Sequence, residues 1–537
     1  MKKAPLPIYF DYAATTPMDP AVQQAMLRYL TQDGLFGNPS SSHVYGEQAQ
    51  EAINEAQIAV AQLINADPGS LLWTSGATEA INLALKGVAD FYQHKGSHII
   101  TVCTEHQATL ESCQALADKG FNISYLPVLK SGLLDLNILE QAITEQTILV
   151  SVMQVNNETG IIQDIAAIAK LCKARKVLLH VDAAQSVGKI AVDVQALDVD
   201  LLSFSAHKIY GPKGCGALYL RQKPKVRLTP LVHGGAQQAG LRSGTLATAQ
   251  IIGMGMASKI AQRLLTEEKQ RLYELRQQLW EGIKSLPGIQ LNGDLSQQIP
   301  GILNVSFADI EGEALLMSLA GLALSSGSAC NATNIEPSHV LTAMGCSAPL
   351  AHSALRFSIG RFTSFEHIQA AIEHLTKAVY RCLSLSPFYE GTLPNLSLRL
   401  NTEVVLTKHY SVAVWENFLQ IEEEQNLDSP EYPVFTIEEG TRLQGNVVQL
   451  SIQLKDKRIV NARFKAYGCG VMLATAAFAT KELKGKTLEH AQLINSNYLI
   501  SQLQLAPSKF HCALRMEDCI KALLTSIYSN KGALNHE

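Results

Sequence analysis

Between residues 97 and 220, short apolar runs alternate with helical patterns, and this alternation limits the possible folds more than any other feature of the chain. The apolar runs predict strands at residues 98–103, 148–155, 177–182, 201–205 and 217–220. Residues 164–175 place apolar side chains on one helix face, with Asp164 as the expected N-cap. Strands that alternate with helices predict an α/β fold, in which a large, mostly parallel sheet is covered by helices on both faces.

The length of 537 residues predicts more than one domain, because single cores rarely grow past about 250–300 residues. We expect a first unit at 1–385, with a large sheet domain at about 15–260 and a small α+β domain at about 261–385 that includes the N-terminal segment. Residues 386–400 lose periodicity and are predicted to be a linker. The last segment, 401–537, has strand-like alternation followed by helical patterns, which predicts a further small α+β domain.

Charge and composition argue against several classes of protein. The net charge of −4 is near balance, so neither nucleic acid nor a membrane surface is expected as a partner. No apolar run reaches the length of about 18 residues that a membrane-spanning helix requires. The ten cysteines are scattered without a CxxC pair, and prolines interrupt the apolar stretch at the N-terminus. We therefore expect reduced thiols and a cytoplasmic protein.

A lysine follows one of the predicted buried strands. Lys208 lies between residues 201–205 and a glycine-rich turn, where a lysine is costly unless it is exposed or used. Such an amine can form a Schiff base with an aldehyde cofactor, and Ser205 and His207 beside it can donate to a phosphate. The alternative is an ordinary lysine on a surface loop.

Three other segments are expected at the same edge of the sheet. Asp182 ends a strand, where a carboxylate can keep a pyridinium nitrogen protonated. The small residues at 74–78 precede a helix whose N-terminus can bind a phosphate. His106 follows another strand and could stack on a planar ring or move protons. Each of these features alone is weak evidence, because an Asp after a strand is more often a cap or turn residue, a Ser/Thr helix cap looks similar to the phosphate motif, and a lone histidine is more often structural.

An ordered series of segments resembles the fold-type I pyridoxal-phosphate (PLP) enzymes, specifically the NifS/IscS-type cysteine desulfurases. The similarity spans about 8–380 and includes Asp11-Tyr-Ala-Ala-Thr-Thr-Pro, Thr74-Ser-Gly-Ala-Thr-Glu, His180-Val-Asp-Ala-Ala-Gln-Ser, Ser205-Ala-His-Lys-Ile-Tyr-Gly and Ser325-Ser-Gly-Ser-Ala-Cys. The resemblance implies a homodimeric PLP-dependent transferase that converts L-cysteine to L-alanine and supplies sulfur for iron–sulfur cluster assembly.

The resemblance also implies a role for each candidate residue. Lys208 would hold PLP covalently and Asp182 would pair with its pyridine nitrogen. His106 would stack on the ring and transfer protons, and Gln185 would contact the phenolic oxygen. The groups that would bind the phosphate are Thr78, Ser205, His207 and, from the partner subunit, Thr245. Arg356 and Asn157 would bind the substrate carboxylate, with Asn157 also contacting the cofactor.

Cys330 is the candidate nucleophile. It lies in a stretch of small polar residues, whereas Cys172 has the apolar neighbours that are usual for a structural cysteine. The spacing alone leaves its role open, but the resemblance implies that its thiolate attacks the sulfur of a cysteine–cofactor adduct and becomes a persulfide. One departure from the family is Gln238-Ala239, where an acidic residue and an arginine are more usual; we do not expect it to abolish the reaction.

The last domain has a second group of candidate ligands. Cys469 follows a strand between two glycines, and His511 and Cys512 are adjacent. Two thiols and an imidazole can hold zinc or an iron–sulfur cluster, and Cys330 is a further possible ligand to iron. The stretch 401–530 resembles the IscU/NifU-type scaffold proteins, but Gln444 and Asn446 stand where that family has a ligand cysteine and an aspartate. A role as sulfur acceptor or regulator is therefore as well supported as cluster assembly.

Two alternatives remain open from the sequence. An aminotransferase or a selenocysteine lyase would share Lys208, Asp182 and His106, but an aminotransferase has no use for the thiol of Cys330. A non-enzymatic scaffold is favoured by the incomplete ligand set of the last domain and disfavoured by the complete cofactor set of the first.

Overall fold

The computed structural model describes residues 6–326, 337–392, 394, 397–398, 400, 408–421, 427 and 432–529. The candidate nucleophile Cys330 and four residues of the predicted linker, 393, 395–396 and 399, lie outside the described residues.

The first part of the chain alternates strands and helices, as the sequence predicts. Its elements are β1 (Ile8–Tyr9), α1 (Pro20–Leu27), α2 (Val44–Leu63), β2 (Leu71–Thr74), α3 (Ala77–Tyr92), β3 (His98–Val102), α4 (Gln107–Ala117), β4 (Asn122–Leu126), α5 (Leu136–Ala142), β5 (Thr147–Met153), α6 (Ile165–Ala174), β6 (Leu178–Asp182), β7 (Leu201–Ser205), β8 (Gly216–Leu220) and α7 (Thr248–Ile283). All five predicted strands are confirmed within two residues at each end.

Seven of these strands form one mixed sheet in the order β2-β8-β7-β6-β5-β3-β4. Only β8 runs against the others, because it pairs in antiparallel fashion with both β2 and β7. Strands β3, β5, β7 and β8 are buried along their whole length, and β6 is buried except at its first residue, as is usual for strands covered on both faces. The predicted α/β architecture is confirmed. A consequence is that the carboxyl ends of all strands except β8 meet at one edge.

A smaller α+β unit follows α7. Its elements are β9 (Ile289–Leu291), β10 (Ile302–Phe307), α8 (Gly312–Ser318), β11 (Leu322–Ala323), α9 (His339–Ala343), α10 (Ala348–His352), β12 (Leu355–Ser358) and α11 (Phe365–Leu385). The N-terminal β1 pairs with β11, which brings the start of the chain into this unit. Helix α7 is continuous across residue 260, so the expected boundary between the large and small domains falls inside one helix.

The last domain is a three-stranded antiparallel sheet with helices packed against it. Its elements are α12 (Val412–Leu419), β13 (Val434–Thr441), β14 (Asn446–Lys455), β15 (Arg458–Tyr467), α13 (Gly470–Leu483), α14 (Leu488–Ala491), α15 (Ser496–Leu503) and α16 (Phe510–Ser529). The core consists mainly of the inward faces of β14, β15, α13 and α16.

The last domain packs directly on the small unit. Ala314 and Met317 of α8 belong to the same apolar core as the helices of the last domain. Lys509 forms an ion pair with Glu313 of α8 at 2.7 Å, and Tyr410 donates to the other oxygen of that carboxylate at 2.5 Å. Burying these charges is tolerated because each is paired and hydrogen-bonded. The two domains are therefore joined by a packed interface as well as by the chain.

Across the ranges that the structure describes, no helix is both long and apolar enough to cross a membrane.

Candidate active site and thiol site

The candidate cofactor residues lie where the sequence predicts them, at one edge of the large sheet. Asp182 is the last residue of β6, and Lys208 follows β7 after a short turn. His106 follows β3 and is the N-cap of α4. Thr78 lies in the first turn of α3, directly after β2. The parallel strands thus bring together residues that are far apart in the sequence.

The side-chain amine of Lys208 is hydrogen-bonded to the N-terminal segment of the chain. Its Nζ donates to the carbonyl oxygens of Ala13 and Ala14 at 2.5 and 2.7 Å. Burial lowers the pKa of Lys208 to about 8, and the positive charge of Arg356 acts in the same direction. The negative charges of Asp182 and Asp11 oppose this shift. At neutral pH a larger fraction of this amine is therefore neutral than in an ordinary lysine.

Asp182 and His106 interact electrostatically with Lys208 and with each other. Asp182 is buried and accepts from the N–H of Ala184 at 2.9 Å; burial raises its pKa, while His106 and Lys208 oppose that rise. Burial lowers the pKa of His106, which favours a neutral ring. Because Nδ1 of His106 accepts from the N–H of Ala108 at 3.0 Å, the neutral ring carries its proton on Nε2.

The N-terminus of α3 offers uncapped backbone N–H groups to which an anion can bind. Its N-cap is Gly76, so no side chain caps the first N–H groups of the helix. A Cβ on Gly216 would lie 2.6 Å from the Cα of Gly76, which leaves room only for glycine at this crossing. Thr78 and His106 line a cavity of about 370 Å³ at the N-terminus of α3. A larger cavity of about 540 Å³ lies beside β2 and includes none of the candidate residues.

Ser205 and His207 flank Lys208 but are already hydrogen-bonded. The Oγ of Ser205 donates to the carbonyl oxygen of Cys215 at 3.3 Å, and Nδ1 of His207 lies 3.1 Å from Oγ1 of Thr15. Thr245 is exposed, and among the described residues no hydrogen bond joins it to Thr78, Ser205 or His207. Phosphate contacts by these side chains stay a prediction.

Arg356 is buried close to Lys208, but both of its terminal nitrogens are engaged. Nη2 forms an ion pair with Asp11 at 2.7 Å, and Nη1 donates to the backbone carbonyl oxygen of Asn157 at 2.8 Å. Its Nε is buried without a hydrogen-bond partner among the described residues. Asn157 thus contacts Arg356 through its backbone, and side-chain contacts of Asn157 with substrate or cofactor stay a prediction.

Three titratable groups of the site, one half-buried and two buried, were missed by sequence reasoning. Lys189 donates to Gln185 at 2.6 Å. Glu105 accepts from the N–H of Met153, and burial raises its pKa well above the ordinary value. Burial also raises the pKa of Glu158 to about 7, against the opposing hydrogen bond from Ser338. No local pattern distinguishes these residues from surface charges, since their burial depends on segments distant in the sequence.

The three candidate ligands of the last domain do come together. The ligand atoms of Cys469, His511 and Cys512 all lie within 4.8 Å of one another. The Sγ atoms of Cys469 and Cys512 are 3.7 Å apart, and Nε2 of His511 is 3.4 Å from Sγ of Cys512. Cys469 is the N-cap of α13, and the other two residues lie in the first turn of α16. We call these three residues the thiol site.

The two cysteines of the thiol site are not equivalent. A hydrogen bond from Cys512 lowers the pKa of Cys469 well below its ordinary value, with further help from His511 and Lys509, while burial opposes the shift. The same hydrogen bond raises the pKa of Cys512. These opposite shifts favour a thiolate at Cys469 over one at Cys512. A thiolate is both the nucleophilic and the metal-binding form of cysteine.

Gln444, which replaces the missing cysteine, lies in the turn between β13 and β14, and Asn446, which replaces the aspartate, is the first residue of β14. Gln444 accepts from Arg515, which lies one turn after Cys512 on α16, at 3.2 Å. Oδ1 of Asn446 is buried without a hydrogen-bond partner among the described residues. A neutral amide ligates zinc or iron far less well than a thiolate. Three protein ligands therefore remain, and a fourth would have to come from outside the site.

Two family models match this chain. The model described as "Aminotransferase class-V" matches residues 8–371, and the model described as "NifU-like N terminal domain" matches residues 410–533. A protein named "Cysteine desulfurase IscS" from Aeromonas hydrophila is 56% identical over 386 residues, which is 72% of this chain and 96% of the relative. A protein of the same name from Photorhabdus laumondii is 55% identical over the same shares.

This chain belongs to the family of IscS-type cysteine desulfurases. Among solved structures, one titled "NIFS-LIKE PROTEIN" is 37% identical and covers 69% of this chain and 99% of its own, with a TM-score of 0.65. DndA from Streptomyces lividans is 38% identical and covers 64% of this chain and 97% of its own, with a TM-score of 0.57. Both likenesses agree with a fold-type I PLP enzyme, and the C-terminal domain is NifU-like.

PLP is the cofactor of this family, and the desulfurase domain has the groups that PLP needs. The partly neutral amine of Lys208 suits the aldehyde. The buried carboxyl of Asp182 suits the pyridine nitrogen, and the uncapped start of α3 suits the phosphate. The residues present therefore fit the cofactor.

The pH dependence of cofactor loading tests the lowered pKa of Lys208. Only the neutral amine reacts with an aldehyde, so below its pKa the loading rate should rise about tenfold per pH unit. With a pKa of about 8, the rate should increase from pH 6 to 8 and level off above about pH 9. The measurement is the appearance of the visible absorption band after PLP is added to the apoprotein. The control is Nα-acetyl-lysine in the same buffers, whose rate of reaction with PLP should keep rising through pH 10. A loading rate of the protein that rises in the same way would contradict the lowered pKa of Lys208.

Zinc binding tests the thiol site of the desulfurase. We expect the reduced chain to bind one Zn²⁺ at this site, since two thiols and an imidazole are zinc ligands. Cys512→Ala should weaken zinc binding by more than about 100-fold. Removing a residue that only hydrogen-bonds a metal ligand already costs about 10- to 100-fold in metal affinity, and removing a ligand itself costs more. Competition with a chromophoric chelator measures the affinity.

The matched control for this experiment is Cys519→Ala. Cys519 is also buried on α16 but lies outside the thiol site. This variant should bind zinc as the parent does. Equal affinity of the parent and Cys512→Ala would show that the thiol site holds no metal.

Proposed function

We propose that this protein is a homodimeric cysteine desulfurase that converts L-cysteine to L-alanine, carries the sulfur as a persulfide on Cys330, and passes it to its own NifU-like domain for iron–sulfur cluster assembly. The observation that carries the proposal is the convergence of Lys208, Asp182 and His106 at one edge of the sheet, in a chain 56% identical over 386 residues to a protein named cysteine desulfurase.

The residues of the site would divide the work as follows. When bound, PLP supplies an electron sink for bonds to the substrate's α-carbon. Asp182 keeps the pyridine nitrogen protonated through its buried negative charge. His106 donates a proton from Nε2, since Nδ1 is occupied by the N–H of Ala108. Arg356 binds the substrate carboxylate through a planar guanidinium that already holds Asp11, so the substrate must share or displace that partner.

The sulfur transfer step balances without an external oxidant. The thiolate of Cys330 forms a bond to the substrate sulfur while the carbon–sulfur bond of the substrate breaks. The electron pair of that bond stays on carbon and takes up a proton, which gives alanine. The products are alanine and a persulfide on Cys330, and an added thiol can then release sulfide.

The proposed acceptor is the thiol site, with Cys469 as the attacking thiolate. The lowered pKa of Cys469 and the packing of its domain on α8 support this assignment. In this second step Cys469 forms a bond to the outer sulfur and the thiolate of Cys330 leaves. Joining donor and acceptor in one chain raises their effective concentration without new contacts. Persulfide mapping by mass spectrometry after turnover would reject the step if Cys469 and Cys512 stay unmodified.

The dimer and the cytoplasmic location belong to the same proposal. Thr245 is exposed in the described chain, which agrees with a role at the phosphate of a partner subunit. The cytoplasmic location is proposed because the ten cysteines are scattered without a CxxC pair, which is typical of reduced thiols.

The experiment is the release of alanine and sulfide from L-cysteine by the purified protein, with a reducing thiol present and the cofactor absorbance recorded. Equal amounts of both products support the proposal. Formation of a keto acid in place of alanine would support an aminotransferase, and a protein that stays colourless with added PLP would support a scaffold.

A further inference from the structure

Lys189 is a half-buried lysine beside the cofactor residues, and no role has been assigned to it. It follows β6 and lines a small cavity between the large sheet domain and the small unit. Its Nζ lies 2.6 Å from Oε1 of Gln185, and that is its hydrogen-bond partner. Burial and the positive charges of Lys208 and Arg356 lower its pKa to about 7. An amine donates hydrogen bonds whether charged or neutral.

The contacts of Gln185 determine which way its amide points. On one side it faces the Nζ of Lys189, a donor, and on the other it faces the carbonyl oxygen of Ala13, an acceptor at 2.8 Å. Only one orientation satisfies both neighbours, with the amide oxygen toward Lys189 and the amide nitrogen toward Ala13. The reversed amide would place a donor against a donor and an oxygen against an oxygen.

The amide nitrogen of Gln185 is close to the reactive amine. The same carbonyl oxygen of Ala13 accepts from both Gln185 and Lys208. One hydrogen of the Gln185 amide remains beyond the bond to Ala13. In PLP the ring carbon that bears the phenolic oxygen is next to the ring carbon that bears the aldehyde. In a cofactor joined to Lys208, that oxygen would therefore lie near this hydrogen. A donor there stabilises the phenolate, whereas an oxygen would repel it.

We propose that Lys189 is a positioning residue for the cofactor: by holding the amide oxygen of Gln185, it keeps the amide N–H directed at the phenolic oxygen of PLP. Lys189 acts through Gln185 and does not itself contact the cofactor. The inference rests on the proposed function only through PLP, so cofactor binding tests it without any turnover.

The experiment is a double-mutant cycle on the affinity of the apoprotein for PLP. Lys189→Met and Gln185→Leu should each weaken PLP binding by about 10- to 100-fold, the range for a hydrogen bond to a charged group. If Lys189 acts through Gln185, the double variant should bind within about twofold of Gln185→Leu. The visible band of bound PLP should shift in the same direction in both single variants. Losses that multiply in the double variant, or opposite band shifts, would overturn the proposal.

Lys269→Met is the matched control. Lys269 lines the same cavity from α7 but is exposed and forms no hydrogen bond with Gln185. The affinity of the Lys269→Met variant for PLP should equal that of the parent protein. If Lys189→Met does not fold, as judged by circular dichroism of the apoprotein, Lys189→Ala takes its place in the cycle with the same expected outcomes. Desulfurase activity could fail for other reasons while this cycle still decides the role of Lys189.

Discussion

Replacing Cys330 by alanine should abolish the release of alanine and sulfide while the protein keeps its PLP absorbance. The expected loss of turnover is at least about 10⁴-fold, as is usual when an enzyme loses its nucleophile. The residues that fit the cofactor are on the sheet edge and do not include Cys330, so cofactor binding should not change. The measurement is product release from L-cysteine with a reducing thiol present, together with the visible spectrum.

Cys346→Ala is the control for this prediction. Cys346 is partly exposed and lies outside the cofactor site, so its loss should leave turnover close to that of the parent. Turnover by Cys330→Ala within tenfold of the parent would mean that another group takes up the sulfur. Loss of both turnover and absorbance would instead place Cys330 in the cofactor site.

Replacing Lys208 by alanine should leave a protein that cannot bind PLP covalently. Turnover should fall by at least about 10³-fold, because the amine that holds and releases the cofactor is gone. The visible band of the lysine-bound cofactor should be absent, and PLP should be lost on gel filtration. Treatment of the parent with borohydride should fix PLP to the peptide that contains Lys208.

Lys213→Ala is the matched control for Lys208→Ala. Lys213 lies in the same glycine-rich turn but is exposed. It should retain the visible band, the fixed cofactor and the turnover of the parent. Fixation of PLP at any other lysine, such as Lys189, would contradict the assignment of Lys208.

The sequence predicts the buried centre of the large sheet better than its edges. The five strands read from apolar runs are all present, with shifts of one or two residues at their ends. Strands β2 and β4 are not predicted by the same pattern. β4 is an edge strand in which all residues but the last are exposed or half-exposed. β2 has only four residues. Such strands depend on pairing with neighbours more than on their own composition.

The candidate site is partly predictable for the same reason. Asp182 ends a buried strand, and Lys208 and His106 follow buried strands. Parallel strands end at one sheet edge whatever their order. The partners of these residues are not predictable in this way. The hydrogen bond between Lys208 and Ala13 joins residues 195 positions apart, and the bond between Lys509 and Glu313 spans 196 positions.

The sequence by itself determined the α/β class, the position of the cofactor residues at strand ends, the family, and the incomplete ligand set at Gln444 and Asn446. Local periodicity and residue chemistry suffice for these. Only the tertiary structure decided that the N-terminal carbonyls hold Lys208, that Lys189 orients Gln185, and that the last domain packs on α8. The physical reason is that burial, charge pairing and hydrogen-bond direction arise from contacts between distant segments, which no local pattern records.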